Sequence, residues 1–171
     1  MGKFEQIKSK VTSLDEMVQC IREWKNAGEK VVFTNGCFDI LHEGHVTYLA
    51  KAADFGSKLI IAINTDASVR RQGKGEERPI NPESSRALIL ASLEFVDGVV
   101  FFDEDTPVSV IELLKPSVLV KGADYDAAEE DPKSKKYIVG RDVILANGGE
   151  VKTVALVEGF STTNIVKRLK V

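Results

Sequence analysis

Thr34-Asn35-Gly36-Cys37-Phe38-Asp39-Ile40-Leu41-His42-Glu43-Gly44-His45 decides how the rest of the chain is read. It holds both of the chain's histidines, three residues apart. Ahead of it, Lys30-Val31-Val32-Phe33 is β-branched and aromatic and too short for a helix, which predicts a buried strand. Behind it, Val46 to Ala53 carries apolar residues at helical spacing. The element is therefore a strand–turn–helix, with His42 and His45 near the helix N-terminus. Unpaired backbone N–H groups point outward there, and the helix dipole favours anions. Two imidazoles beside such a helix start suit a phosphate that gains negative charge in a transition state.

The pattern of strand followed by helix recurs along the chain. Ser13-Leu14-Asp15-Glu16 is a capping box before a helix that carries Met17, Val18, Ile21 and Trp24 and closes at Gly28. Further strands are expected at Leu59–Asn64, Gly98–Phe102, Val118–Val120 and Val151–Val157. Helices are expected at Asp66–Arg71, from Asn81-Pro82-Glu83 to Leu93, from Thr106-Pro107 to Lys115, at Tyr137–Ala146, and after a cap at Ser161-Thr162-Thr163. Residues 122–136 are charged and poor in apolar groups, which predicts mobility. Regular alternation implies an α/β fold, a five-stranded parallel sheet covered by helices on both faces. Ligands in such a sheet bind at the carboxyl ends of the strands, where the strand order switches. Residues 1–171 are expected to form one domain, with 1–28 a helical appendage and 29–171 a catalytic core. The Gly-x-Gly-x-x-Gly fingerprint is absent, which disfavours a dinucleotide oxidoreductase.

Composition narrows the partners. With 23 basic and 26 acidic residues the formal charge is −3, which argues against wrapping a nucleic-acid backbone. Arg70, Arg71, Lys74 and Arg78 do gather in one loop, suiting a small polyphosphate, though a solvated loop has the same look. Cys20 and Cys37 have neither metal nor disulfide spacing, which points to a reducing compartment. Cys37 reads better as a small residue in a tight turn than as a nucleophile. With no signal-like start and no apolar run of membrane-spanning length, a cytoplasmic protein without membrane or nucleic-acid partners is expected.

Asn35 to His45 also closely resembles the signature of the nucleotidyltransferases with a His-x-Gly-His motif, the cytidylyltransferase-like superfamily. Lys121-Gly122-Ala123-Asp124-Tyr125 and Glu158-Gly159-Phe160-Ser161-Thr162-Thr163-Asn164-Ile165 look like its two later motifs, in the right order, with Arg78-Pro79 and Arg86 between. From about Lys10 onward the pattern is most similar to the D-glycero-β-D-manno-heptose 1-phosphate adenylyltransferases. Two departures from the wider superfamily fit that subgroup: Cys37 stands where many members have threonine, and Leu156 where glycerol-phosphate enzymes have arginine. The resemblance implies a Rossmann-like doubly wound fold and transfer of AMP from ATP to a heptose 1-phosphate. Cytidylyl transfer to glycerol 3-phosphate or a similar alcohol phosphate is the alternative. It also implies Mg²⁺ travelling with ATP, a homodimer, and, with no kinase-sized segment in the chain, a separate kinase supplying the sugar phosphate.

The resemblance further implies roles for named residues. His42, His45, Lys74, Ser161 and Thr162 would handle the triphosphate in catalysis. Asn35, Gly36, Cys37, Phe38, Gly44, Arg86, Lys121, Gly122, Asp124, Gly159, Phe160 and Thr163 would bind the nucleotide. Asn64, Asp66, Arg78 and Tyr125 would face the acceptor. Read without it, Ser161 to Thr163 is an ordinary helix cap, and Lys121 and Asp124 are equally at home on a surface loop. An acceptor that is already a phosphate needs no general base, so donors and positive charge suffice. Asp39, His42 and His45 together raise the question of a protein-bound metal. Their spacing does not put all three on one helix face, and Asp39 is expected to hold the turn instead.

Overall fold

A computed structural model describes residues 1–73, 75 and 77–169. Five strands, β1 (Val31–Gly36), β2 (Lys58–Asn64), β3 (Gly98–Phe102), β4 (Val118–Gly122) and β5 (Glu150–Val154), form one all-parallel sheet in the order β3-β2-β1-β4-β5. Consecutive residues point to opposite faces of a strand, and both faces are buried. Val32, Leu59, Ile61, Ile63, Val99, Val118 and Val120 face one apolar cluster. Val31, Phe33, Ile60, Ala62, Val100, Phe102 and Leu119 face another. Such doubly buried strands read as continuous apolar runs rather than alternating ones.

Helices α3 (Glu43–Ala53) and α5 (Glu83–Ala91) cover the first face through Leu49, Ala52, Ala87 and Leu90. Helices α2 (Leu14–Asn26), α6 (Val108–Leu114) and α7 (Arg141–Ala146) cover the second through Met17, Ile21, Ile111, Leu114 and Ile144. Each fully buried leucine, isoleucine or methionine among these contributes about 1.5–3 kcal/mol. The remaining helices are α1 (Lys3–Lys8), α4 (Asp66–Arg71) and α8 (Thr162–Leu169). The capping box on α2 is formed in both directions between Ser13 and Glu16.

Several boundaries differ from the sequence expectation. Strand β1 runs on through Asn35 and Gly36, so the motif turn starts at Cys37, and α3 begins at Glu43 rather than Val46. Strand β5 stops at Val154, leaving Leu156 more than half exposed. Helix α7 begins only at Arg141; Ile138, expected inside it, is a fully buried anchor ahead of it. The first 28 residues are bound to the sheet. Met17 and Ile21 belong to the second cluster, and Val11 forms a parallel bridge with Val99 on edge strand β3. Two backbone bonds make that bridge, Thr12 N–H to Val99 carbonyl (3.1 Å) and Val99 N–H to Lys10 carbonyl (2.8 Å).

Candidate active site

The switch in strand order falls between β1 and β4, which both leave the sheet centre for opposite sides. A crevice of about 870 Å³ opens at the carboxyl ends of the strands there. His42, Gly44 and His45 line it from the start of α3, Lys121, Gly122, Asp124 and Tyr125 from the end of β4, and Phe160 to Thr163 from the start of α8.

His42 is the N-cap of α3, its Nδ1 accepting the His45 backbone N–H (3.4 Å). That bond fixes the tautomer, since Nδ1 as acceptor leaves the proton on Nε2. The two imidazoles stack with centroids 3.7 Å apart and planes 17° from parallel. Phe38 packs edge-on against His45 at 5.2 Å, and it does so from the left-handed region, φ 46°. A non-glycine residue held there costs on the order of 1–3 kcal/mol, a strain that collects at functional sites. Burial, then the neighbouring His42, pushes His45 down to about 4, with the Ile40 backbone acting in the opposite sense. Burial alone lowers His42. Both rings are therefore neutral near pH 7, hydrogen-bonding groups rather than cations.

Gly44 is where the two ends of the chain meet. A Cβ there would lie 3.0 Å from Phe160 Cβ and 3.1 Å from His42 Nδ1, closer than ordinary side-chain contacts. Phe160 also stacks on His42 at 6.2 Å. Gly159, just before it, has φ 85°, a conformation that favours glycine. The Ser161 carbonyl opens α8 by accepting the Ile165 N–H (3.0 Å). The helix start carrying Ser161, Thr162 and Thr163 is thereby joined to the histidine turn.

Lys121 crosses the crevice floor: its Nζ donates to Asn35 Oδ1 and lies 5.8 Å from the Tyr125 ring centroid. Burial pushes this ammonium down to about 8, with Asp124 and Cys37 acting to raise it. It still carries its charge near pH 7, and an anion beside it would hold that charge to higher pH. On the other side of β1, the Cys37 thiol reaches Gln72 Oε1 (3.2 Å) and Asn64 Oδ1 (3.6 Å).

Several expectations are revised by the structure. Arg86 was expected to hold phosphate, but it is 1% exposed and does not line the crevice. Its guanidinium donates to the carbonyls of Asn81, Cys37 and Asn64 and to Asp66 Oδ1 (2.8 Å), binding three chain segments together. Asp66 is paired with Arg86 and does not line the crevice. Arg78 lines the crevice but is ion-paired with buried Asp39. The Asp39 carboxylate also accepts the N–H groups of Ile80 (2.9 Å) and Asn81 (2.8 Å), so it ties the turn to a segment forty residues on and not to its own neighbours. The basic loop is likewise dispersed, since Arg71 pairs with Asp103 and Asp105. Lys74 lies outside the described residues, and Gly159 shapes the site without lining it.

Among the described residues no group of three or more His, Cys, Asp or Glu side chains is placed to hold a metal ion. No helix among them is long and apolar enough to cross a membrane. Sequence reading missed Tyr48, Gln72 and the stretch Asp105-Thr106-Pro107, all on the crevice wall. The last of these follows β3, so the rule that placed Lys121 after β4 applies to it equally.

A parallel sheet with a crevice at its switch point, lined by two helix starts distant in sequence and by paired imidazoles, fits a nucleotidyltransferase of Rossmann-like architecture. The chain belongs to the cytidylyltransferase-like family, whose model matches residues 33–168. It is 50% identical over 161 residues to the bifunctional protein HldE of Geobacter metallireducens, and 49% identical over 165 residues to that of Campylobacter curvus. These alignments cover 94% and 96% of this chain but 31% and 32% of those proteins, so the chain spans about a third of the length of these relatives. A lipopolysaccharide core biosynthesis protein from Thermoplasma volcanium superposes with a TM-score of 0.57 at 28% identity, covering 76% of this chain and 98% of that one. A pantoate-β-alanine ligase from Francisella tularensis shares the fold, with a TM-score of 0.56 at 12% identity over 94% of this chain and 76% of its own.

Proposed function

We propose that this chain transfers AMP from MgATP to D-glycero-β-D-manno-heptose 1-phosphate, releasing pyrophosphate and giving ADP-heptose. An oxygen of the sugar phosphate attacks the α-phosphorus, the bond from that phosphorus to the β-bridging oxygen breaks, and its electrons leave with pyrophosphate. No proton has to be removed from the nucleophile, so hydrogen-bond donors and positive charge suffice without a general base. His42 Nε2–H and the neutral His45 ring would hydrogen-bond phosphate oxygens as charge builds. The Ser161 and Thr162 hydroxyls and the N–H groups opening α8 would hold the β- and γ-phosphates. Lys121 would neutralise a phosphate brought to the crevice floor. Magnesium enters with the nucleotide, held chiefly by phosphate and water.

The observation that carries this reading is the contact of Gly44 and His42 with Phe160, which joins both phosphate-handling segments on one crevice. The near-50% identity to HldE proteins supports the heptose acceptor over a glycerol phosphate. A homodimer and a cytoplasmic setting belong to the same reading. The test is a panel of nucleoside triphosphates against sugar 1-phosphates and polyol phosphates, with products followed by phosphorus NMR. ADP-heptose and pyrophosphate from ATP are expected. Turnover of CTP with glycerol 3-phosphate, and none of ATP with the heptose phosphate, would overturn the assignment.

A further inference from the structure

Strands β1 and β4 pair through Val32 with Val118 and Phe33 with Leu119, and then part to open the crevice. The next residues, Thr34 and Val120, fall outside that register and are joined by a side chain instead. The Tyr48 hydroxyl donates to the Val120 carbonyl (3.0 Å) and lies 2.8 Å from Thr34 Oγ1. A phenol has one proton, and Val120 receives it, so the Thr34 hydroxyl donates to the Tyr48 oxygen. One residue further, Lys121 donates to Asn35. The gap between the strands is thus crossed in three steps: backbone pairing, then Tyr48, then the Lys121–Asn35 bond.

Thr34 and Val120 are fully buried and Tyr48 is 8% exposed, so the three groups make their hydrogen bonds largely shielded from water. Burial raises the Tyr48 phenol well above its ordinary value, which keeps it protonated and a donor. Tyr48 belongs to α3, three residues after His45, and side chains at that spacing lie on one helix face. A single hydroxyl therefore couples the position of the histidine helix to the width of the strand split.

We propose that Tyr48 is a positioning residue: its hydroxyl, wedged between Thr34 and Val120, sets the separation of Asn35 from Lys121 and the placement of His45 over the reacting phosphate. The kinetic consequence rests on nucleotidyl transfer; the geometric one does not.

Tyr48→Phe in the full chain keeps the ring and removes the wedge. Because the chain has only two histidines, stacked on each other, their imidazole NMR signals report that placement directly. At a temperature well below unfolding, kcat is expected to fall about 10- to 100-fold through misplacement of the reacting groups. KM for ATP should stay within about threefold, the signature of a contribution made in the transition state. Both imidazole signals should shift. A kcat within about twofold of wild type with unchanged imidazole signals would overturn the proposal even if Tm fell, since that is the loss of a core hydrogen bond alone. If Tyr48→Phe does not fold, Thr34→Val decides: it keeps the Tyr48–Val120 bond and frees the other end. A smaller change in the same direction is expected, and wild-type kcat and signals would overturn the wedge. If wild type turns over no acceptor, the transferase reading fails, while the imidazole signals still judge the wedge.

Discussion

Phe160 and Gly44 approach so closely that a methyl group on Gly44 would meet Phe160 Cβ at 3.0 Å. The residues are separated by most of the chain, yet each belongs to a segment that lines the crevice, and their contact sets the distance between those segments. The absence of a side chain at 44 is thus a requirement of assembly.

Gly44→Ala should therefore displace both the His42 ring and the α8 start. A fall in kcat of about 100-fold is expected from a misplacement of this kind, with Tm lowered only slightly. Steady-state kinetics beside a thermal melt checks it, and full activity would show that Phe160 yields freely.

The His45 ring, pushed down to about 4 from its ordinary 6.5, makes stability depend on pH. Between these values the unfolded chain binds a proton that the folded one refuses, so stability falls as pH drops from about 6.5 towards 4. His45→Asn should remove part of that slope, measured as the difference in urea midpoint between the two proteins across the window. The same substitution should lower kcat about 100- to 1,000-fold, as for loss of one transition-state donor. An identical pH slope in both proteins would mean that burial does not depress this ring.

Lys121 carries a test at the alkaline end. Its ammonium, lowered to about 8 by burial, loses charge as pH rises through that value, and attraction for a phosphate should go with it. KM for one of the two substrates should climb above pH 8 in the wild type and stay flat in Lys121→Met. A parallel rise in both would place Lys121 outside ligand binding.

Asp39→Ala strips Arg78 of its buried partner and leaves the Ile80 and Asn81 N–H groups without an acceptor. Breaking a buried pair in this way costs about 3–5 kcal/mol. Chemical denaturation should show a loss of that size, and a loss below about 1 kcal/mol, the range of exposed pairs, would mean that the site is wet.

The architecture was readable because each level of the sequence agreed with the next. Apolar runs such as Leu59–Ile63 alternate with capped amphipathic stretches, and a parallel sheet is what such alternation builds. The motif turn was readable for the same local reason. What could not be read was where buried charges find partners. Nothing near Arg86 in sequence shows that its acceptors are carbonyls from the ends of β1 and β2, because those chain ends converge only in the folded sheet. Arg78 and Asp39, thirty-nine residues apart, are hidden for the same reason. Tyr48 looks like one more apolar position on α3 until the parting of β1 and β4 gives its hydroxyl a place. Strand β5 looked longer than it is because Leu156 and Val157 continue an apolar run into the crevice wall.

The bridge between Val11 and Val99 bears on how copies of this chain avoid one another. Strand β3 borders the sheet, and a bare border offers N–H and carbonyl groups on which a foreign strand can grow. By pairing Lys10 and Thr12 with Val99, the chain occupies part of that template itself. Shortening the N-terminus past residue 12 would uncover the Val99 N–H and carbonyl and is expected to turn the molecule towards aggregation.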